Sequence, residues 1–188
     1  LFNLRRMLMN KSFIIKIIVL CLVTIKVSAI EKVILFGDSL MAGYGLPKEQ
    51  HLSVVLQNSL ELEGHNIKII NGSVSGSTSA GGLNIAEWTL SENNIDLMIL
   101  CLGANDMLRG INPKETKNNL EEIIKIAKSK NIKIIIAGMI APTSYGFEYK
   151  KSFDKIFSDL SKKHKLQLIP FLLEGVAQKP EFNLSDGM

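Results

Sequence analysis

Cysteine is scarce: two residues in 188, and one of them, Cys21, lies within the first 29. The other, Cys101, sits inside the apolar run "LMILCLG", so an internal disulfide is excluded in the body of the chain. It reads as a small buried hydrophobe, and no histidine lies near it in sequence to activate a thiol. Histidine is nearly as scarce, at three, and neither a metal nor a cofactor is implied. Five prolines and no proline-rich, repetitive or low-complexity block leave no linker at which to divide the chain. A long apolar run is also missing. The segment Phe13–Ile25, with Lys16 inside it, falls short of the ~20 residues that span a bilayer.

That short run has a different meaning. Arg5, Arg6 and Lys11 precede it, and "KVSA" places Val27 and Ala29 where a signal peptidase wants small residues. Residues 1–29 are therefore expected to be a signal peptide cleaved near Ala29, with a retained anchor as the alternative. The excess of positive charge goes with it. The segment holds five of the 22 basic residues and no acidic ones, leaving 17 basic against 18 acidic. A net charge of +4 becomes −1, which removes any nucleic-acid footprint. The remaining 159 residues, 30–188, suit one domain, expected to be exported, soluble, periplasmic or secreted, and monomeric.

Five continuously apolar runs read as buried strands: Lys32–Phe36, Ile67–Ile70, Leu97–Leu102, Ile132–Ala137 and Leu166–Phe171. Helical stretches alternate with them. One ends on Gly64, one begins with Asn112 and Pro113, and one carries Phe153, Ile156, Phe157 and Leu160 on a single face. Alternation of this kind implies parallel βαβ units with right-handed crossovers, hence a three-layer α/β/α sandwich. Ligands in such folds bind beyond the carboxyl ends of the strands.

Four stretches lie there: "GDSL" (Gly37–Leu40), "NGSVSGSTSAGG" around Gly76, "GAND" (Gly103–Asp106), and "SDGM" (Ser185–Met188). A phosphate cradle would need G-x-G-x-x-G or G-x-x-x-x-G-K-[ST], and Gly37, Gly43 and Gly45 fit neither. The G-x-S-x-G elbow fails too, because Met41 stands two residues after Ser39. A nucleophile fits better. Ser39 on a tight turn exposes its hydroxyl to the crevice, and donors from Ser39, Gly76 and Asn105 would converge as an oxyanion hole. Each motif alone is weak; their order and spacing together are strong.

"LFGDSLMAGYG", "NGSVSGSTSAGGL", "LGANDMLRGINP", "APTSYGFEY" and "IPFLLEGVAQKPEFNLSDG" resemble, in order, stretches of the SGNH hydrolase superfamily. Within it they are similar to the exported thioesterase I/protease I/lysophospholipase group. The resemblance spans residues 30–188 and implies a flavodoxin-like sheet of order 2-1-3-4-5. It implies Ser39 as nucleophile, with Ser39, Gly76 and Asn105 as oxyanion donors. It further implies hydrolysis of acyl esters and thioesters, small-molecule or lysophospholipid substrates, and no cofactor. Carbohydrate acetylesterase activity or catalytically silent lipid or glycan binding are the alternatives. Ala104, Pro142, Ser144 and Tyr145 are expected near the acyl chain.

The family takes its general base and the carboxylate that orients it from one segment, D-x-x-H. Here Asp186, Gly187 and Met188 supply the first three positions and the chain stops. His65 and His164 precede strands, at the wrong end of the sheet, and His51 begins a helix. The expectation is a reading frame clipped at both ends, since Leu1 stands in place of Met, with a shortened protein as the alternative. Without the base and the last helix, the chain as written is expected to be almost inert, for losing such a histidine can cost about 10⁶ in kcat. Asp38 and Asp106 read as turn carboxylates. Trp88 is expected to pack its helix against the sheet, and Arg109 to support a loop, with pairing to a substrate carboxylate or phosphate as the alternative.

Overall fold

The apolar run after residue 30 forms a strand that the rest of the molecule is built around. The computed structural model describes residues 30–92, 94–177 and 179–182. Its elements run β1 Lys32–Gly37, α1 Ser39–Ala42, α2 Leu52–Leu62, β2 Lys68–Asn71, α3 Ser79–Thr89, β3 Leu97–Cys101, α4 Ala104–Leu108, α5 Pro113–Ser129, β4 Lys133–Ala137, α6 Phe147–His164 and β5 Gln167–Ile169. The five strands are parallel, in the order β2-β1-β3-β4-β5. This is the expected flavodoxin-like α/β architecture. The expected signal peptide (1–29) and Asp186 lie outside the described residues.

Strand order distributes the helices. Only the β1-to-β2 step moves toward one edge; every later step moves toward the other. Right-handed crossovers then put α2 on one face and α3, α5 and α6 on the opposite one. The two layers differ in depth. No residue of α2 is buried, whereas α5 buries Thr116, Leu120, Ile123, Ile124 and Ala127. The expected face of α6, Phe153, Ile156, Phe157 and Leu160, is buried entire. Gly82 brings α3 onto the sheet, because a Cβ there would sit 2.3 Å from Leu102 and 3.5 Å from Phe36.

Some boundaries fall short of the apolar runs for local reasons. Ile132 belongs to the end of α5, since its N–H bonds Ala127 O at 3.0 Å after Asn131 turns at φ +60°. β5 stops at Ile169 because Pro170 has no N–H to continue the ladder. Trp88 corrects an expectation: it is 83% exposed and does not pack its helix against the sheet. The sheet-facing work of α3 is done by small residues, Ser79, Gly82 and Ala86, and helical spacing puts Trp88 on the opposite face.

Candidate active site

β1 ends in Gly37, and the chain turns at once into α1. Glycine is required at 37, where a Cβ would lie 2.6 Å from the Cys101 carbonyl. Asp38 caps the new helix, its Oδ1 accepting the Leu40 N–H at 3.2 Å. Ser39 follows as the first helical residue and is half-buried. Among the described residues its hydroxyl makes no hydrogen bond, and neither does its N–H, because the first N–H groups of a helix have no intrahelical acceptor. Gly43 closes the turn at φ +83°, and its N–H bonds the Ser39 carbonyl at 3.1 Å.

The second stretch is pinned beside the first. Gly72 N–H and Ser73 Oγ both donate to Leu35 O, at 2.9 and 3.0 Å, and Val74 N–H donates to Gly37 O at 3.0 Å. Gly76 lies at the exposed tip with φ +77° and open space where a Cβ would stand. Its N–H is unbonded among the described residues, while its carbonyl accepts from Arg109 Nη2 at 3.0 Å.

The third stretch begins at Gly103, whose φ of +116° is a backbone conformation open to glycine. It launches α4, with Ala104 half-buried at its first position. The next residue, Asn105, donates from Nδ2 to Asp38 Oδ2 at 3.3 Å. A 67-residue separation is thereby closed by one contact between two of the motifs. Burial pushes the Asp38 carboxyl up from the usual range, against the pull of its bonds to Leu40 and Asn105.

Asp106 differs from the turn carboxylate expected. It is fully buried and reaches back 27 residues to the start of α3, accepting the Ser79 N–H at 2.7 Å and the Ser79 hydroxyl. Thr116 Oγ1 adds a third donor at 3.1 Å, and Asn119 Nδ2 bonds Ser79 Oγ at 3.0 Å. Arg109, at the end of α4, does support a loop, through Gly76. Neither long-range brace has a local signal in the sequence, since each needs two strand ends to be adjacent first.

After β4, Pro142 is exposed and precedes one 3₁₀ turn, Thr143–Tyr145. Tyr145 stacks on Tyr149 at 5.4 Å, Tyr149 on Phe153 at 6.1 Å, and Phe153 meets Phe157 edge-on at 5.8 Å. This ladder leads from the loop into the core. A depression of about 510 Å³ lies alongside, between Gly110, Asn112, Glu148 and Tyr149; Ser39 does not line it.

The three histidines are engaged elsewhere. His51 packs its ring on Gly43, where a Cβ would come within 2.4 Å, and its Nε2 contacts Leu46 O at 3.1 Å. His65 faces Glu63 at 3.7 Å and His164 faces Glu121 at 2.8 Å, at the opposite end of the sheet. Cys101 is buried, and burial pushes its thiol far up, which makes it a poor nucleophile.

Comparison with known proteins bears on the family and the fold. The model of the GDSL-like lipase/acylhydrolase family matches residues 35–188. An arylesterase of Vibrio mimicus is 38% identical over 160 residues, covering 85% of this chain and 80% of its own. Thioesterase 1/protease 1/lysophospholipase L1 of Escherichia coli is 30% identical over 169 residues, covering 90% of this chain and 80% of its own. The crystal structure of AlinE4, a SGNH-hydrolase family esterase, superposes with a TM-score of 0.81 at 38% identity, covering 87% of each chain. The chain belongs to the GDSL-like lipase/acylhydrolase family.

Proposed function

We propose that this serine ester hydrolase works through Ser39 as nucleophile. Its oxyanion hole is formed by the Ser39 N–H, the Gly76 N–H and the Asn105 side-chain amide. The observation that carries the reading is the state of the donors: among the described residues the Ser39 hydroxyl and N–H and the Gly76 N–H are all unbonded, and the Asn105 amide is held by Asp38. Donors held in place before the reaction need little reorganisation when charge develops.

The reaction then follows from general chemistry. The histidine expected after the Asp186–Met188 segment takes the Ser39 Oγ proton while Asp186 holds the imidazole. Oγ bonds the carbonyl carbon, and the oxygen takes its negative charge facing the three donors. Collapse breaks the ester C–O or thioester C–S bond, and the leaving group receives the proton. Water, deprotonated by the same histidine, cleaves the acyl-enzyme, releasing the acid and restoring Ser39. Ala104, Pro142 and Tyr145 flank the acyl chain.

The substrate class is acyl esters and thioesters. The first 29 residues read as an export signal, and among the described residues no helix is long and apolar enough to cross a membrane. A periplasmic or secreted monomer meets lysophospholipids and other extracytoplasmic esters more often than acyl-CoA. The test is Ser39→Ala in the gene product that carries the D-x-x-H segment in full, assayed on a chromogenic acyl ester. Hydrolysis falls to background; activity that persists removes Ser39 from the reaction.

A further inference from the structure

Among the described residues, Gly76 is held by a single hydrogen bond. The loop around it is fixed on both flanks, by Val74 N–H on Gly37 O, by Ser77 N–H on Val74 O, and by the Thr78 cap of α3. Between those anchors the backbone of Ser75 and Gly76 makes no hydrogen bond within the loop, and the contact from Arg109 Nη2 to the Gly76 carbonyl is the remaining tether. Arg109 comes from a stiff origin: it closes α4, one turn after Asn105, with its own N–H on the Asn105 carbonyl at 3.1 Å. Its guanidinium pairs with no carboxylate among the described residues. The same short helix carries Asp106, which grips Ser79 at the far end of the loop.

We propose that Arg109 is a positioning residue for ester hydrolysis, fixing the Gly76 N–H at the distance from Asn105 that a developing oxyanion requires. The inference rests on the reading of Gly76 and Asn105 as oxyanion donors. Asn105 and Arg109 hang from one turn of helix, so gripping Gly76 ties two donors from different strands to one rigid piece. The grip acts on charge stabilisation, because a displaced donor loses most in the transition state, where the oxygen carries its full charge. Misplacement by about 1 Å can cost about 10²-fold. Loss of the tether, with both flanks still fixed, is therefore expected to cost about tenfold.

The test compares Arg109→Ala and Arg109→Lys with the unaltered full gene product on p-nitrophenyl acetate, p-nitrophenyl octanoate and a lysophosphatidylcholine. Arg109→Ala is expected to lower kcat about tenfold on all three with KM within about twofold. Affinity for an arylboronic acid, which adds to the serine and mimics the tetrahedral adduct, is expected to fall in proportion to kcat/KM. Arg109→Lys, which keeps one donor of similar reach, recovers part of the loss. An unchanged kcat overturns the proposal. So does a loss confined to KM for lysophosphatidylcholine, which would make Arg109 a headgroup contact, and so does a loss that vanishes when rates are corrected for the folded fraction. Asn105→Ala separates the two levels of the argument. If it is silent, the oxyanion reading itself fails; if it is costly while Arg109→Ala is silent, only the role of Arg109 falls.

Discussion

β1 is bracketed by two aspartates that spend their charge in opposite ways. Before the strand, Asp96 Oδ2 accepts the N–H groups of Glu31 and Lys32, each at 2.9 Å, and these bonds hold its carboxyl below the usual range. After the strand, Asp38 is buried with one backbone donor and the Asn105 amide, and burial pushes its carboxyl up. A carboxylate with donors and solvent stabilises the fold; one that is buried with few donors costs stability. The amino end of the sheet is thus tied off by satisfied charges, with Glu121 held by Lys163 and His164 in the same way. Among the described residues, the carboxyl end keeps a serine hydroxyl and two N–H groups unbonded beside a carboxyl that burial pushes up. Local rules are broken at the proposed site and kept at the opposite end of the sheet.

The largest effects should separate the two ends most sharply. Asn105→Ala is expected to lower kcat by about 10²–10³, with a smaller loss of stability than the brace below, because the buried Asp38 carboxyl loses one of the two donors its side chain accepts from. A fall under threefold would take Asn105 out of the oxyanion hole. Asp106→Ala breaks the comparison from the other side, since Asp106 stands among the motifs yet acts as a brace. Removing it strands the Ser79 N–H, the Ser79 hydroxyl and the Thr116 hydroxyl in a site where Asp106, Ser79 and Thr116 are all fully buried. Each orphaned group costs about 1–3 kcal/mol, so a loss of about 3 kcal/mol is expected, lowering the melting temperature by about 6–12 °C for a chain of this size. A variant as stable as the parent would mean that the brace is ornamental.

The fold was legible because its signals are local. Five apolar runs with helical patterns between them dictate parallel βαβ units, and handedness then assigns the faces. The buried face of α6 could be read residue by residue for the same reason. The site was legible in its parts and illegible in its joints. A serine on a turn, a glycine able to take positive φ and an asparagine after a strand are local features, but three bonds relate them. Asp38 to Asn105, Asp106 to Ser79 and Arg109 to Gly76 span 67, 27 and 33 residues. Such pairs exist only once β1, β2 and β3 stand side by side, and no spacing rule anticipates which carboxylate turns inward. Trp88 failed in the opposite direction: bulk and apolarity suggested burial, yet helical spacing puts it on the face of α3 opposite Ser79, Gly82 and Ala86.

The smallest prediction sharpens the contrast between the two aspartates. A carboxylate whose folded pKa is lowered contributes stability above the unfolded value, near 3.9, and loses that contribution as pH falls through the lower folded value. Asp96 belongs to this class. Asp38 has the reverse sign: with its folded pKa raised, its contribution is present below the unfolded value and lost as pH rises through the folded one. The wild-type acid profile mixes the two, and Asp96→Asn isolates the first. Asparagine keeps one oxygen to accept from Glu31 and Lys32 but discards the charge, and the site is largely solvent-screened, so the loss at pH 7 is expected to be about 1 kcal/mol. Urea unfolding at pH 7 and pH 2.5 measures it. The difference between variant and parent should shrink from pH 7 to pH 2.5, as the parent carboxyl takes up its proton, with ester hydrolysis at pH 7 unchanged. An equal loss at both pH values would mean that Asp96 acts through the geometry of its bonds and not through its charge, and the two ends of β1 would then differ in shape alone.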